Sequence, residues 1–195
     1  MPNTKSLRLY PLEQLAPVYE YFAKKAVVLF NTEGSVTPQF FMVGLGTSAA
    51  APIISLSAVD PRMVQSLLSS SKGKDMVKPL LRMLLNDDSS LRTMMKKKNL
   101  ALPDVVVQIN EAWMATPERS PGWKEFEGSL ENLPGRQEAI VVAVHGPLQS
   151  AMGICPIDDT PVRRARYQEL ESGAVLMTGR MSMNEEYPDE DAPKH

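Results

Sequence analysis

Apolar residues recur with helical spacing near the start of the chain. Intervals of three and four residues place them on one face of a helix. The stripe contains Leu12, Leu15, Val18, Tyr19 and Phe22. Pro11 suits the first turn of such a helix, and Asn31–Gly34 suits its end. The pattern therefore predicts one long amphipathic helix before the first strand.

A block of three shorter helices is predicted further along the chain. Each is expected to begin near a residue whose side chain caps free backbone N–H groups. The predicted starts are Asp60 followed by Pro61, Asp75 with Pro79 in the first turn, and Asp88 or Ser89. The run Ser69–Gly73 is expected to separate the first two helices, and Lys98 is expected to end the third.

Alternating and β-branched apolar residues predict the strands. The expected strands are 40–45, 52–59, 104–114, 137–145 and 149–157, with weaker candidates at 162–167 and 174–178. Because the strands occur in adjacent pairs while most helices occur together, we predict an α+β fold. The expected sheet is mainly antiparallel with about five to six strands, an N-terminal helix, and the helical block between strands 2 and 3.

The amino-acid composition excludes or disfavours several kinds of metal-binding and catalytic site. The chain has 195 residues, a length that suits one domain, and we assign residues 1–183 to that domain. A single cysteine excludes an internal disulfide and a cysteine-rich zinc module. Two histidines, one of them the last residue, leave little for a histidine metal site or a catalytic triad. We therefore expect no cofactor and no bound metal.

No segment predicts export or membrane insertion. The N-terminal residues lack the apolar stretch of a secretory signal. The longest apolar runs, such as 26–30 and 40–43, are far shorter than the ~20 residues that span a bilayer. Twelve methionines and an unpaired cysteine suit a reducing compartment. The expectation is a soluble, cytoplasmic protein without membrane contact.

Acidic residues are concentrated at the C-terminus. The chain has 21 basic and 23 acidic side chains, but residues 184–195 hold five acids and one lysine. The rest of the chain therefore has a charge of +2. Because residues 184–195 contain two prolines and almost no apolar residue, they predict a disordered acidic tail. Alternatively, the tail shields a basic patch on the body.

Cys155 and His145 are the only internal thiol and imidazole. If His145 lies across a turn from Ser150, Cys155 pairs near Ile140, about five residues further along the strands. At ~3.3 Å per residue the two side chains are roughly 16 Å apart, too far for a catalytic dyad. We expect Cys155 to be a small buried residue and His145 to be a solvated turn residue.

Glu111 is the carboxylate with the most unusual position. It falls in phase with the apolar residues Val105, Val107, Ile109 and Trp113. A buried carboxylate needs a partner or has a raised pKa, and both occur at functional sites. The alternatives are a position at the rim of the strand or a structural ion pair with an arginine. Arg136, which shares a face of the next strand with Glu138, is the expected partner.

Basic residues form two short clusters that together make a candidate basic patch. The clusters are Lys96, Lys97 and Lys98, and Arg163, Arg164 and Arg166. The lysines fall in the last turn of a predicted helix, where cations offset the helix dipole. The arginines fall on a predicted edge strand, where charge opposes aggregation. Since Tyr167 is the one aromatic residue beside them, the pattern disfavours nucleic-acid binding.

Two short sequences resemble a loose group of small proteins encoded by bacteria and their phages. The first is Asn110–Met114, which contains Glu-Ala-Trp, and the second is Pro134–Ala139, which contains Pro-x-Arg-x-Glu. The similarity covers about residues 104–145. It implies a bacterial or phage intracellular setting and no particular activity. It also groups four residues as one candidate constellation: Glu111, Trp113, Arg136 and Glu138.

Three functions are compatible with these residues. The leading hypothesis is a non-catalytic module that binds a partner protein or a second copy of itself, because the usual nucleophile, metal and phosphate-binding motifs are missing. The enzymatic alternative is a phosphoester hydrolase in which Glu111 and Glu138 hold Mg²⁺. The third is weak nucleic-acid binding through the candidate basic patch.

Overall fold

The computed structural model describes residues 10–48, 51–86, 89–115, 118–122, 132–159 and 161–170. Within these ranges the helices are α1 (Leu12–Glu33), α2 (Pro61–Leu68), α3 (Ser71–Leu85) and α4 (Ser90–Lys97). The strands are β1 (Gln39–Ser48), β2 (Ala51–Ala58), β3 (Val105–Met114), β4 (Gln137–His145), β5 (Ser150–Asp158) and β6 (Arg164–Ala165). The predicted strand at 174–178 and the acidic tail at 184–195 lie outside the described residues.

The six strands form one antiparallel sheet in the order β2-β1-β3-β4-β5-β6. Helices α2, α3 and α4 lie in the connection between β2 and β3. After this connection β3 pairs with β1 and not with β2. The predicted α+β fold is therefore confirmed, including the N-terminal helix and the place of the helical block. The weaker candidate at 162–167 is reduced to the two residues of β6.

Helix α1 begins and ends where the sequence predicts. Pro11 precedes its first residue, and Gly34 ends it in the left-handed conformation at φ 82°. Glycine adopts this conformation without the steric cost of a side chain. The Gly34 N–H donates to the Phe30 carbonyl at 2.7 Å, which satisfies one of the last helical carbonyls. The buried face of α1 covers one face of the sheet, chiefly over β4 and β5.

Tyr19 is the side chain through which α1 packs directly onto β5. Its ring is buried, and a Cβ placed on Gly153 would lie 2.3 Å from that ring. Glycine at this position therefore allows the close approach of helix and strand. The Tyr19 hydroxyl donates to the Gln168 carbonyl at 2.8 Å. One side chain thus fixes both the helix on the sheet and the segment that follows β6.

The helical block covers the opposite face of the sheet, at β1 and β3. Its core contains Phe40, Val64, Val77, Leu81, Leu85 and Val106. Since α1 and the block lie on different faces, the first five residues of β3 are buried on both sides. This explains why β3 begins as an apolar run rather than as an alternating strand.

Two of the predicted helix caps are confirmed and one helix start is wrong. Asp60 caps α2, and Ser89 caps α4. The second helix of the block begins at Ser71 rather than at Asp75, because the Ser70 hydroxyl accepts the Gly73 N–H at 3.0 Å and caps the helix earlier. In consequence Pro79 lies inside α3 and not in its first turn.

A buried arginine joins the block to the sheet. The Arg92 side chain is 4% exposed and donates to the Leu84 carbonyl at 2.9 Å and to the Pro103 carbonyl at 2.6 Å. These bonds connect α4 with the end of α3 and with the segment that leads into β3. The guanidinium therefore fixes the position of the block relative to the sheet.

Gly153→Ala is expected to destabilise the protein by about 1–3 kcal/mol, because the added methyl overlaps the buried Tyr19 ring. Chemical denaturation measures the free energy of unfolding of the variant. The same substitution in a Tyr19→Leu background should cost less, since the smaller side chain leaves room for the methyl. An equal cost in both backgrounds would show that this contact is not the cause.

Candidate functional site

The pairing of β3 with β4 determines where the candidate constellation lies. Glu111 is opposite Ile140, and Trp113 is opposite Glu138. Glu111 is in phase with Ile109, which belongs to the core beneath α1. Because side chains alternate along a strand, both carboxylates point to the face that α1 covers. They lie beside the residues that follow the last turn of α1.

Glu111 binds the segment that follows α1. One carboxylate oxygen accepts the Val36 backbone N–H. The other lies 3.9 Å from the Arg163 guanidinium, and the side chain is 23% exposed. Of the interpretations that the sequence leaves open, this geometry matches a structural ion pair near the rim of the strand.

Arg163 connects three parts of the chain. It donates to the Gly34 carbonyl at 2.8 Å and binds the Glu138 carboxylate. Its guanidinium also lies over the Phe30 ring, 4.8 Å from the centroid. A cation at the C-terminus of a helix interacts favourably with the helix dipole. We call Glu111, Glu138 and Arg163 the acid–arginine cluster; it fastens the end of α1 to β3, β4 and the approach to β6.

Arg136 has a different role from the one expected. Its guanidinium stacks over Trp113, 4.4 Å from the ring centroid, and its Nη1 donates to the Leu133 carbonyl at 3.4 Å. The structure gives Glu111 the sequence-distant Arg163 instead, so the expected Arg136–Glu111 pair is wrong. The constellation is therefore divided into the acid–arginine cluster and a separate cation–π pair.

Burial raises the pKa of the Glu111 carboxyl, and the adjoining Glu138 carboxyl raises it further. The Val36 N–H and the Arg163 guanidinium act in the opposite direction. Arg163 supplies positive charge to both carboxylates at the place where a hydrolase would need a divalent cation. The geometry of the cluster therefore favours a role in stabilising the fold over a role in metal-dependent catalysis.

His145 is buried, and the expectation of a solvated turn residue is wrong. The ring is 2% exposed, with Nδ1 2.8 Å from the Ser150 Oγ and Nε2 3.2 Å from the Gln108 Oε1. Because the Gln108 amide nitrogen donates to Asn110 at 2.9 Å, its oxygen faces the histidine and accepts the Nε2 proton. Nδ1 then accepts the Ser150 hydroxyl proton.

This buried network joins β3, β4 and β5. Burial lowers the pKa of His145 to about 4, so the imidazole is neutral at physiological pH. Ser150 and His145 are both buried, so the pair acts as a polar crosslink of the sheet and not as an exposed nucleophile and base. The predicted register already placed Ser150 opposite His145, but it did not show that this pair is buried.

Cys155 is a buried residue opposite Ile140, and both of these predictions are confirmed. This pair lies five residues along the strands from the pair of His145 and Ser150. That is the separation from which we predicted that Cys155 and His145 are too far apart for a catalytic dyad. Burial raises the pKa of the thiol, which keeps it in its unreactive form. Its polar neighbour is the Tyr19 hydroxyl, 3.9 Å from the sulfur.

The candidate basic patch is divided between two elements. Lys96 and Lys97 lie in the last turn of α4, and Lys98 is the C-cap. Arg163 belongs to the acid–arginine cluster, and Arg166 binds Asp158 at 2.5 Å. The lysines are exposed on the helical block, whereas these two arginines have carboxylate partners.

Two apolar concavities, which the sequence did not predict, lie on opposite faces of the sheet. The first, here the α1 groove, has a volume of about 590 Å³ and lies between α1 and the β1–β2 side of the sheet. The second, here the block crevice, has a volume of about 380 Å³ and lies between the helical block and the sheet. Its lining includes Phe40, Met63, Leu67, Leu80, Leu84 and Leu91.

Comparisons of the chain with protein-family models, with curated protein sequences and with solved structures find no match. Among the described residues, no helix is both long and apolar enough to cross a membrane. The same residues contain no group of three or more His, Cys, Asp or Glu side chains able to hold a metal ion. Function is therefore inferred from the geometry of the described surfaces.

Glu111→Gln is expected to make the free energy of unfolding less dependent on pH. Because folding raises the pKa of Glu111, the folded state binds its proton more tightly than the unfolded state does. Stability then falls as pH rises from the ordinary pKa of 4.5 through the raised value. Urea titrations at several pH values measure this slope.

Glu111→Ala is the matched comparison. It leaves the Val36 N–H without its acceptor and should cost about 1–3 kcal/mol, whereas glutamine retains an acceptor oxygen. If the free energy of unfolding of the Glu111→Gln variant depends on pH as strongly as that of the original protein, the Glu111 carboxyl is not the group that takes up the proton.

His145 should make the protein less stable in mild acid. Its pKa is about 4 when folded and 6.5 ordinarily, so the unfolded state takes up the proton first. The contribution of this pKa difference to the free energy of unfolding is fully present above pH 6.5. It is lost as the pH falls towards 4, by about 3 kcal/mol in all. His145→Gln should flatten this part of the stability profile. The His145 imidazole signals are those that His145→Gln removes, which separates them from the signals of His195. Titration of these signals near 6.5 in the folded protein would refute the assignment.

Proposed function

We propose that this protein is a non-catalytic module that binds another protein through the block crevice. The observation that carries the proposal is the open apolar lining of this crevice on a set of basic helices. Met63, which lines it, is 58% exposed, and Met76 and Met83 are exposed on α3. Large apolar surfaces left open on a folded protein commonly mark binding sites.

The shape and lining of the crevice favour a helical partner. It lies between α2 and α3 above β1 and β3, where an amphipathic helix can insert apolar side chains spaced by three or four residues. Methionine is unbranched and flexible, so the exposed Met63, which lines the crevice, can adapt to the side chains of such a helix.

The charge of the block indicates the character of the partner. Residues 60–98 contain nine basic and four acidic side chains, a net charge of +5. One of the acids, Asp60, lines the crevice, where its carboxylate caps α2 by accepting the Arg62 N–H. Acidic residues beside the apolar face of the partner helix would complement this charge. The proposed ligand is therefore an acidic amphipathic helix of a partner protein, in the bacterial or phage-infected cytoplasm that the sequence resemblance implies.

The two alternative functions have weaker support. Nucleic acid would be attracted by the same charge, but the crevice is lined by aliphatic side chains, and Arg163 and Arg166 are bound to carboxylates. A Mg²⁺-dependent hydrolase would use Glu111 and Glu138, which already share the guanidinium of Arg163.

Met63→Glu is expected to weaken binding of an acidic amphipathic helical peptide at least about tenfold, because it places a like charge in the apolar crevice. Fluorescence anisotropy with a labelled peptide measures the dissociation constant. Val162→Glu, which changes a 61% exposed residue beside β6, is the matched control and should leave binding unchanged. A peptide with the same apolar face and basic flanks should bind more weakly.

The salt dependence and the competing ligands make this test decisive. Affinity for the acidic peptide should fall moderately as salt is raised, since the apolar contacts persist. If duplex DNA binds with a steep salt dependence while the acidic peptides do not bind, the protein-binding function is wrong. Mg²⁺-dependent phosphoester hydrolysis that Glu111→Gln abolishes would likewise overturn it.

A further inference from the structure

We propose that the α1 groove is a second binding site, and that its occupant is the C-terminal segment of this chain, residues 174–191. The segment would place its apolar part in the groove and its acidic part against two lysines of α1. This site lies on the opposite face of the sheet from the block crevice, so it does not depend on the proposed function.

The groove exists because one helix does not cover this face of the sheet. Six strands at a spacing of ~4.8 Å span roughly 24 Å, whereas a helix is about 10 Å wide. Since α1 packs chiefly over β4 and β5, part of the face of β1 and β2 is open. Phe41, Leu56 and Ile109 line the groove from the sheet, and Val28, which is 65% exposed, lines it from α1.

The charged residues that line the groove are both basic. They are Lys24, which also pairs with Glu20 of α1, and Lys25. The stretch 34–59, which forms most of the other wall, contains no charged residue. An occupant that combines apolar and acidic residues is therefore complementary to the groove. A second copy that presented its own α1 there would bring lysine towards lysine, which disfavours pairing through this surface.

The described chain leads towards this groove. The ring of Tyr167 lies 5.2 Å from the Lys24 ammonium, and Leu170 packs against the core beneath α1. Lys24 also lines the groove. A chain that continues from Leu170 therefore has only α1 itself between it and the groove. Half the circumference of a helix of about 10–12 Å diameter is roughly 16–19 Å. At ~3.3 Å per residue the six residues from 171 to 176 span this distance, so Leu176 and Met177 can reach the groove.

The sequence beyond residue 170 has the required order of side chains. Residues 174–177 are Ala-Val-Leu-Met, and Met181 and Met183 follow after Arg180, the one basic residue of the segment. Five acids come next: Glu185, Glu186, Asp189, Glu190 and Asp191. An apolar run followed by acids matches an apolar groove with two lysines at its side. The predicted strand at 174–178 and the acidic tail thereby become parts of one ligand.

Photo-crosslinking of the full chain tests the proposal. Val28 is replaced by p-benzoylphenylalanine, and crosslinked peptides are identified by mass spectrometry. The expected product joins position 28 to residues 174–183. Leu176→Glu combined with Met177→Glu should reduce its yield at least about tenfold, because two carboxylates would enter an apolar groove. The same photo-crosslinker at Met63, on the other face, is the matched control and should not capture this segment.

An equal mixture of ¹⁴N- and ¹⁵N-labelled chains identifies the source of the segment. Crosslinks within one isotopic chain support the proposal, whereas crosslinks between the two isotopic forms assign the groove to a second copy and overturn it. Absence of any product with residues 174–191 also overturns it, as does a yield that the two glutamates leave unchanged. Circular dichroism of each variant confirms that the chain is folded in every comparison.

Discussion

The packing of α1 across β4 and β5 is the constraint on which most other features depend. Tyr19 lies against the backbone of Gly153, so helix and strand approach more closely than any side chain at that position would allow. The same tyrosine binds the carbonyl of Gln168 and so holds the segment after β6. Because one helix is narrower than six strands, this placement also leaves the α1 groove open above β1 and β2.

The polar groups that attract attention in the sequence serve mainly to hold this arrangement. Glu111 and Glu138 share Arg163, which also binds the carbonyl of Gly34 at the end of α1. On the other face, the neutral imidazole of His145 bonds across three strands. Buried polar groups that satisfy one another specify a register and cost little when complete. The charged and imidazole side chains that could take part in catalysis are thus bound to partners within the fold. The proposed functions therefore rest on its open apolar surfaces.

Much of the fold could be predicted because its determinants are local. A glycine at 34 ends α1, Asp60 and Ser89 cap helices, and the apolar run within 137–145 marks β4. Each of these signals acts on residues a few positions away. The start of α3 was missed because a serine and an aspartate compete as caps within a few residues of each other. The site was predicted only in part: Glu111 was identified, but Arg163, which is far away in sequence, was not identified as its partner.

The sequence by itself determined the fold class, the strand pairing of β4 with β5, the burial of Cys155 and the lack of a thiol–imidazole dyad. These follow from periodicity, turns and composition, which are properties of short segments. Only the tertiary structure decided that His145 is buried, that Arg136 stacks on Trp113, and that two apolar concavities are open. The reason is physical: burial and charge pairing depend on which elements cover a face, and that depends on contacts between residues far apart in the chain.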